Sequence, residues 1–158
     1  MRRLWAPWRI NYILGEKPLG CILCEKPKEN RDKENHILKY GKHGFVIMNL
    51  YPYNNGHLMV CPYEHVNTLE DLSDEILGDL MRMIKDTLAA LRLSFSPEGA
   101  NVGLNLGKAG GAGIDDHVHF HIVPRWEGDT NFMTVVGDHR VIPQDINETY
   151  TLLKPHFD

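Results

Sequence analysis

His117-Val118-His119-Phe120-His121-Ile122-Val123-Pro124 alternates imidazoles with apolar side chains. Alternation at period two marks a strand with one buried face. Same-face neighbours on a strand lie about 6.6 Å apart. The pattern predicts a strand over 117–124, with His117, His119 and His121 on one face. Val118, Phe120 and Ile122 then turn to a core. Three imidazoles are an odd choice for an ordinary solvent face. Imidazoles bind metals, move protons or act as nucleophiles.

The residues just before this stretch sharpen that reading. Gly107-Lys108-Ala109-Gly110-Gly111-Ala112-Gly113 cannot be regular structure. Its glycines let backbone N–H groups approach a ligand and form an anion-binding concavity. A Gly-rich loop alone is weak grounds, since many are flexible turns. Running directly into histidines, it points to phosphate beside imidazole. A histidine attacking phosphorus forms a phosphoramidate and divides one displacement into two easier ones.

Further outward, strand and turn patterns alternate. Ile37–Tyr40, the turn Gly41–Gly44 and Phe45–Leu50 read as a hairpin. Tyr51–Gly56 is a second turn, His57–Cys61 a strand, and Ala100–Leu106 another. Thr68 to Asp71 has capping-box spacing, and Ser73 is a second N-cap. Ile76, Leu77, Leu80, Met83, Ile84, Leu88 and Leu91 then recur at helical spacing, and Ser96–Gly99 ends that helix. Residues 25–35 are charged and read as a loop, and a C-terminal helix is expected around Ile146–Leu153. Sequential strands with short turns and two helices predict an α+β fold with an antiparallel sheet.

Composition bounds the function. The chain has 158 residues, 42% hydrophobic, enough for one domain with a core. Its net charge of −4 disfavours general nucleic-acid binding, which needs a basic face. No apolar run approaches the roughly 18 residues of a membrane span. The N-terminal stretch, broken by Pro7 and Arg9, lacks the form of a signal peptide. Three cysteines do not make a disulfide framework, and a reducing cytoplasm fits them. Cys21-x-x-Cys24 has the spacing of half a zinc site and equally of a redox pair. Of nine histidines, His36, His43, His139 and His156 default to the surface.

The 117–123 stretch resembles the histidine-triad (HIT) motif of nucleotidyl hydrolases and transferases. Asn49–Val60 and Asn101–Asn105 also match that family, and the likeness covers roughly residues 20–125. Leu4–Arg9 and Pro124–Phe132 are similar to the bacterial branch that phosphorolyses diadenosine tetraphosphate. The resemblance implies a HIT-like antiparallel sheet of about five strands with one long and one C-terminal helix. It implies one domain over 1–158, with an arm at 1–20, a zinc knuckle and loop at 21–36, and an extension at 126–158.

It also implies roles. His119 would attack the α-phosphorus of an adenosine polyphosphate, giving an adenylyl-histidine. His121 would hydrogen-bond the phosphate or leaving group, and His57 would support the triad. Asn49 falls at the ribose position, and Asn105, Ala112 and Gly113 at phosphate positions. Trp126 falls near the substrate, although simple packing would also suit it. Gly113 stands where many HIT hydrolases carry glutamine, which agrees with the phosphorylase-like branch. Some HIT members complete a zinc site, and here its ligands would be Cys21, Cys24, His65 and His117.

The implied substrates are dinucleoside polyphosphates and inorganic phosphate, giving ATP and ADP, with Mg²⁺ accompanying the nucleotide. The alternative is hydrolysis of dinucleoside polyphosphates or nucleoside phosphoramidates. Two other readings stay open: a catalytic metal held by the three histidines, and a nucleotide-binding module without turnover. The family commonly forms homodimers with joined sheets, to which Phe45–Leu50 and the long helix would contribute.

Overall fold

The computed structural model describes residues 20–130 and 141–157. The aromatic arm with Trp5, Trp8 and Tyr12, and His139, lie outside the described residues. The architecture is α+β, as expected. Among the described residues five strands, β1 (Ile37–Tyr40), β2 (Gly44–Met48), β3 (Leu58–Pro62), β4 (Gly99–Leu104) and β5 (Phe120–Arg125), form one antiparallel sheet in the order β1-β2-β3-β5-β4.

The first hairpin joins β1 (Ile37–Tyr40) to β2 (Gly44–Met48), with Tyr40 opposite Phe45. β2 pairs along its whole length with β3 (Leu58–Pro62), from Gly44 opposite Pro62 to Met48 opposite Leu58. A side chain at Gly44 would strike the Cys61 carbonyl oxygen and Leu80, so the strands close only around a bare Cα. Every residue of β2 and β3 is buried. Strands covered on both faces read as apolar runs rather than alternations, as GFVIM and LMVCP do.

Two layers supply the cover. The long helix, α3 (Asp74–Phe95), and the C-terminal helix, α4 (Ile146–Leu153), pack on one face. There Leu80, Ile84, Leu91, Tyr150 and Leu153 meet Val46, Leu58, Val60 and Ile122. On the other face Leu23, Ile37, Phe45, Ile47, Met59 and Cys61 pack with Ile22 and Ile114. Ser73 Oγ accepts the Ile76 N–H at 3.3 Å to start α3, and Ser96, at φ 46°, ends it. Asp145 caps α4 by accepting the Asn147 N–H at 2.8 Å.

The structure corrects several expectations. Residues 25–35 are not a plain loop. They hold the end of α1 (Ile22–Glu25), a 3-10 turn at Lys26–Lys28 and α2 (Asp32–Asn35). The Asn35 amide donates to Lys26 O and Glu29 Oε2 and pins these turns together. Thr68 pairs its hydroxyl with Glu70 instead of capping a helix, and Leu69–Asp71 stops after one 3-10 turn. His36 is buried, not on the surface, and meets Asn147 Oδ1 at 3.1 Å. β2 is an inner strand, so Phe45–Met48 offers no free edge to a second copy. Among the described residues the sheet ends at β1 on that side and at β4 (Gly99–Leu104) on the other, where the first five residues of β4 are exposed.

The histidine stretch shows the most informative difference. β5 runs Phe120–Arg125, so His117 and His119 precede it. The last β4–β5 pair is Leu104 with Phe120. Before it, the Val118 N–H bonds Val66 O at 2.7 Å, outside the sheet ladder. The chain has left the sheet where the first two histidines sit.

Candidate active site

His121 faces the second side of the sheet, between Met59 on β3 and Gly103 on β4. His57 reaches the same place from the end of the Tyr51–Gly56 turn, which Gly56 makes possible at φ 72°. Val118 and Ile122 point the other way into the main core, as the alternation requires.

The hydrogen bonds determine which ring nitrogens carry protons. The Tyr53 backbone N–H can only donate, and it donates to His57 Nδ1 at 3.0 Å. His57 therefore carries its proton on Nε2, which lies 2.9 Å from His121 Nδ1. His121 Nδ1 accepts, so the His121 proton sits on Nε2. The His117 carbonyl can only accept, and His119 Nδ1 lies 2.8 Å from it. His119 thus donates through Nδ1 and keeps a lone pair on Nε2. The His119 and His121 rings are 4.8 Å apart at near right angles. One nitrogen lone pair and one N–H donor stand side by side.

Burial keeps the His57 and His121 rings neutral. Desolvation, then the neighbouring His121 and His119, lowers His57 to about 3. Desolvation and His119 lower His121 to about 4. Tyr53 covers the pair, with its ring centroid 4.6 Å from that of His57 and 5.5 Å from that of His121.

His117 does not join them. Its ring turns to the knuckle at the N-terminus of α1. His117 Nδ1 lies 3.3 Å from Cys21 Sγ, 3.4 Å from Cys24 Sγ and 3.4 Å from His65 Nδ1. His65 Nδ1 is 3.3 Å from Cys24 Sγ. All four ligand atoms lie within 4.8 Å of one another. Zinc bond lengths of roughly 2.0–2.3 Å make a tetrahedron with edges of about 3.3–3.8 Å, so the four groups fit such an ion. His117 Nε2 donates to Pro62 O at 3.0 Å, and His65 Nε2 faces Asp116 at 3.7 Å, which leaves both Nδ1 atoms for a metal. Without an ion, burial and the Cys21 thiol push Cys24 up to about 11; a cation would reverse that direction. His119 and His121 lie outside this cluster, and their Nδ1 atoms already have partners. A catalytic metal held by all three histidines is incompatible with this arrangement.

The other expected site residues take varied positions. Asn105 Nδ2 lies 3.5 Å from His121 Nε2; both carry protons in this arrangement, so the amide bonds the ring only with its two ends exchanged, Oδ1 then accepting the His121 Nε2–H. The Asn49 N–H bonds His57 O at 3.0 Å, and its Oδ1 accepts the Tyr51 N–H at 2.8 Å. The Ala112 N–H closes the Gly-rich loop on Gly107 O at 3.2 Å, while Gly113 is exposed. Trp126 is half-buried directly after β5. Among the described residues, Ala112, Gly113 and Trp126 form no hydrogen bond with the histidines. Reading the sequence missed Tyr53 and the Pro62 carbonyl. Tyr53 lies in the Tyr51–Gly56 turn, within the family-like stretch, where neither the turn pattern nor the resemblance gives it a role, and a backbone acceptor has no residue signature.

Comparison with known proteins agrees with this geometry. Residues 30–128 match the HIT domain family. The chain is 41% identical over 163 residues to the AP-4-A phosphorylase of Mycobacterium tuberculosis, covering 97% of this chain and 83% of that one. It is 36% identical over 80 residues to the adenosine 5'-monophosphoramidase hnt1 of Schizosaccharomyces pombe, covering 51% and 56%. A zinc-bound histidine triad family protein from Mycobacterium smegmatis superposes with a TM-score of 0.71 at 26% identity, covering 87% and 93%. With its alternating histidines divided between a buried ring pair and a Cys/His cluster that could hold a metal, the chain belongs to the HIT domain family and is a nucleotide-processing enzyme.

Proposed function

We propose that the protein cleaves diadenosine tetraphosphate by phosphorolysis, through an adenylyl group carried on His119. The reading rests chiefly on the proton arrangement: His119 presents a bare Nε2 while His121 presents an N–H beside it. The 41% identity with an AP-4-A phosphorylase supports the choice of substrate.

His119 Nε2 attacks the α-phosphorus. The N–P bond forms and the bond to the bridging oxygen breaks, releasing ATP. The His121 Nε2–H donates to oxygen that gains charge in this step, and His57 holds that tautomer in place. The His117 carbonyl takes up positive charge on the His119 ring through Nδ1–H. Inorganic phosphate then attacks the adenylyl group, the N–P bond breaks, and ADP leaves. Asn49 would contact ribose, and Asn105, Ala112, Gly113 and Trp126 would line the nucleotide and phosphate path. The chain would act as one HIT-like domain.

Cys21, Cys24, His65 and His117 would hold zinc. With four protein ligands the ion would be structural, tying the knuckle to the residue whose carbonyl orients His119. The assembly would be a homodimer in the cytoplasm. No described helix is long and apolar enough to cross a membrane.

The test is product analysis with diadenosine tetraphosphate, with and without inorganic phosphate. ATP plus ADP only with phosphate is the expected result. ATP plus AMP without phosphate would instead favour the hydrolase reading, to which the phosphoramidase relative lends its support.

A further inference from the structure

Asp129, just after β5, collects five donors on one carboxylate. Oδ2 accepts from Arg125 Nε at 2.7 Å, Asn54 Nδ2 at 2.8 Å and the Trp126 N–H at 3.2 Å. Oδ1 accepts from Arg125 Nη2 at 2.8 Å and Thr130 Oγ1 at 3.2 Å. Its side chain is 7% exposed. Arg125 Nη1 reaches on to Asn101 Oδ1 at 2.8 Å. This polar knot leads toward the histidines.

The link is Asn54, which is 5% exposed. Its Nδ2 donates to both Asp129 Oδ2 and Pro124 O, the latter at 3.0 Å. Both partners only accept, so the orientation of the amide is fixed. Asn54 Oδ1 takes the Asn55 N–H at 3.1 Å, and Asn54 O takes the His57 N–H at 3.2 Å. The Tyr51–Gly56 turn is thereby fastened to β5 at Asn54. One residue earlier, Tyr53 directs its N–H at His57 Nδ1.

We propose that Asn54 and Asp129 are positioning residues that set the tautomers of His57 and His121 by holding the Tyr53 N–H on His57 Nδ1. The alternative tautomer shows what they prevent. If His57 carried its proton on Nδ1, its Nε2 would accept from His121 Nδ1–H. His121 Nε2 would then turn a lone pair toward the departing phosphate oxygen, where a donor is needed. The kinetic consequence rests on the proposed adenylyl transfer; the tautomer consequence does not.

The experiment compares wild type with Asn54→Ala and Asp129→Asn. Two-bond ¹H–¹⁵N histidine spectra of the protein without substrate should show His57 protonated only on Nε2 in wild type, and mixed tautomers in both variants. With diadenosine tetraphosphate and phosphate, kcat should fall about tenfold while KM stays within about twofold, given what a misplaced proton donor costs. In a His57→Phe background, Asn54→Ala should cost less than about twofold more, because the group it positions is gone. Unchanged His57 tautomers in both variants would overturn the proposal, even if the melting temperature fell. So would full additivity with His57→Phe. If Asn54→Ala does not fold, Asp129→Asn decides the outcome. If wild type transfers no adenylyl group, the functional reading fails while the spectra still judge the positioning.

Discussion

His57 Nε2 and His121 Nδ1 lie 2.9 Å apart in the interior, and both rings are neutral there. In the unfolded chain each histidine titrates near 6.5. Between about pH 6.5 and the folded values of about 4 and about 3, the unfolded state binds more protons. Stability must therefore rise with pH across that window and fall as acid is added. Urea denaturation between pH 7.5 and 4.5 should show this slope, and His57→Phe should make it shallower. An unchanged slope in the variant would mean that His57 protonates when folded.

His119→Ala removes the nitrogen on which the proposed transfer depends. Turnover of diadenosine tetraphosphate should fall at least about a thousandfold, since nothing else at the site offers the same lone pair. Wild type given substrate without phosphate and quenched at alkaline pH should carry an adenylyl group on His119. Undiminished turnover in the variant would refute the nucleophile.

The Cys21, Cys24, His65 and His117 cluster predicts about one equivalent of zinc in protein purified without chelator. Cys24→Ser should lower it below about a tenth. Activity should drop about tenfold but persist, because the His117 carbonyl that orients His119 belongs to a ligand residue. Absence of zinc from wild type would remove the structural-metal reading. Complete loss of activity on metal removal, with the fold intact by circular dichroism, would mean that the ion does more than tie the knuckle to His117.

The period of 117–124 disclosed the buried face and the opposite imidazole face, because Val118 and Ile122 do enter the core and His119 and His121 do meet. It did not disclose that His117 departs from the other two. That depends on Val118 pairing with Val66 and on Cys21, 96 positions from His117. The bounds of α4 were legible because Asp145 caps it locally and its apolar spacing is helical. The turns between 22 and 35 were not, since a buried Asn35 amide holds them without any periodicity. The Asn54–Asp129 contact, spanning 75 positions, has no local signature at all.

Gly44 tests the packing of the first two strand pairs. A Cβ there would strike the Cys61 carbonyl oxygen and approach Leu80 Cδ2 to 2.7 Å. Backbone cannot yield as a flexible side chain does. Gly44→Ala should destabilise the protein by about 1–3 kcal/mol in urea denaturation. A smaller loss would mean that β2 and β3 can separate more freely than their unbroken register implies.

β4 tests the assembly. Among the described residues it ends the sheet, and Val102 at its middle is 44% exposed. An unpaired edge with an apolar residue is a ready template for another strand. A two-fold dimer joined there would bring the same patch of both copies together. Wild type should therefore sediment as a dimer at micromolar concentration. Val102→Lys would set two ammonium groups near the axis and shift the protein to monomer, raising the dimer dissociation constant at least about tenfold. High salt should restore part of the affinity, because screening weakens exposed charge repulsion. Met81→Lys, on the exposed side of α3, should leave the dimer intact. Dimers that persist in Val102→Lys and dissociate in Met81→Lys would move the interface from the sheet edge to the helix.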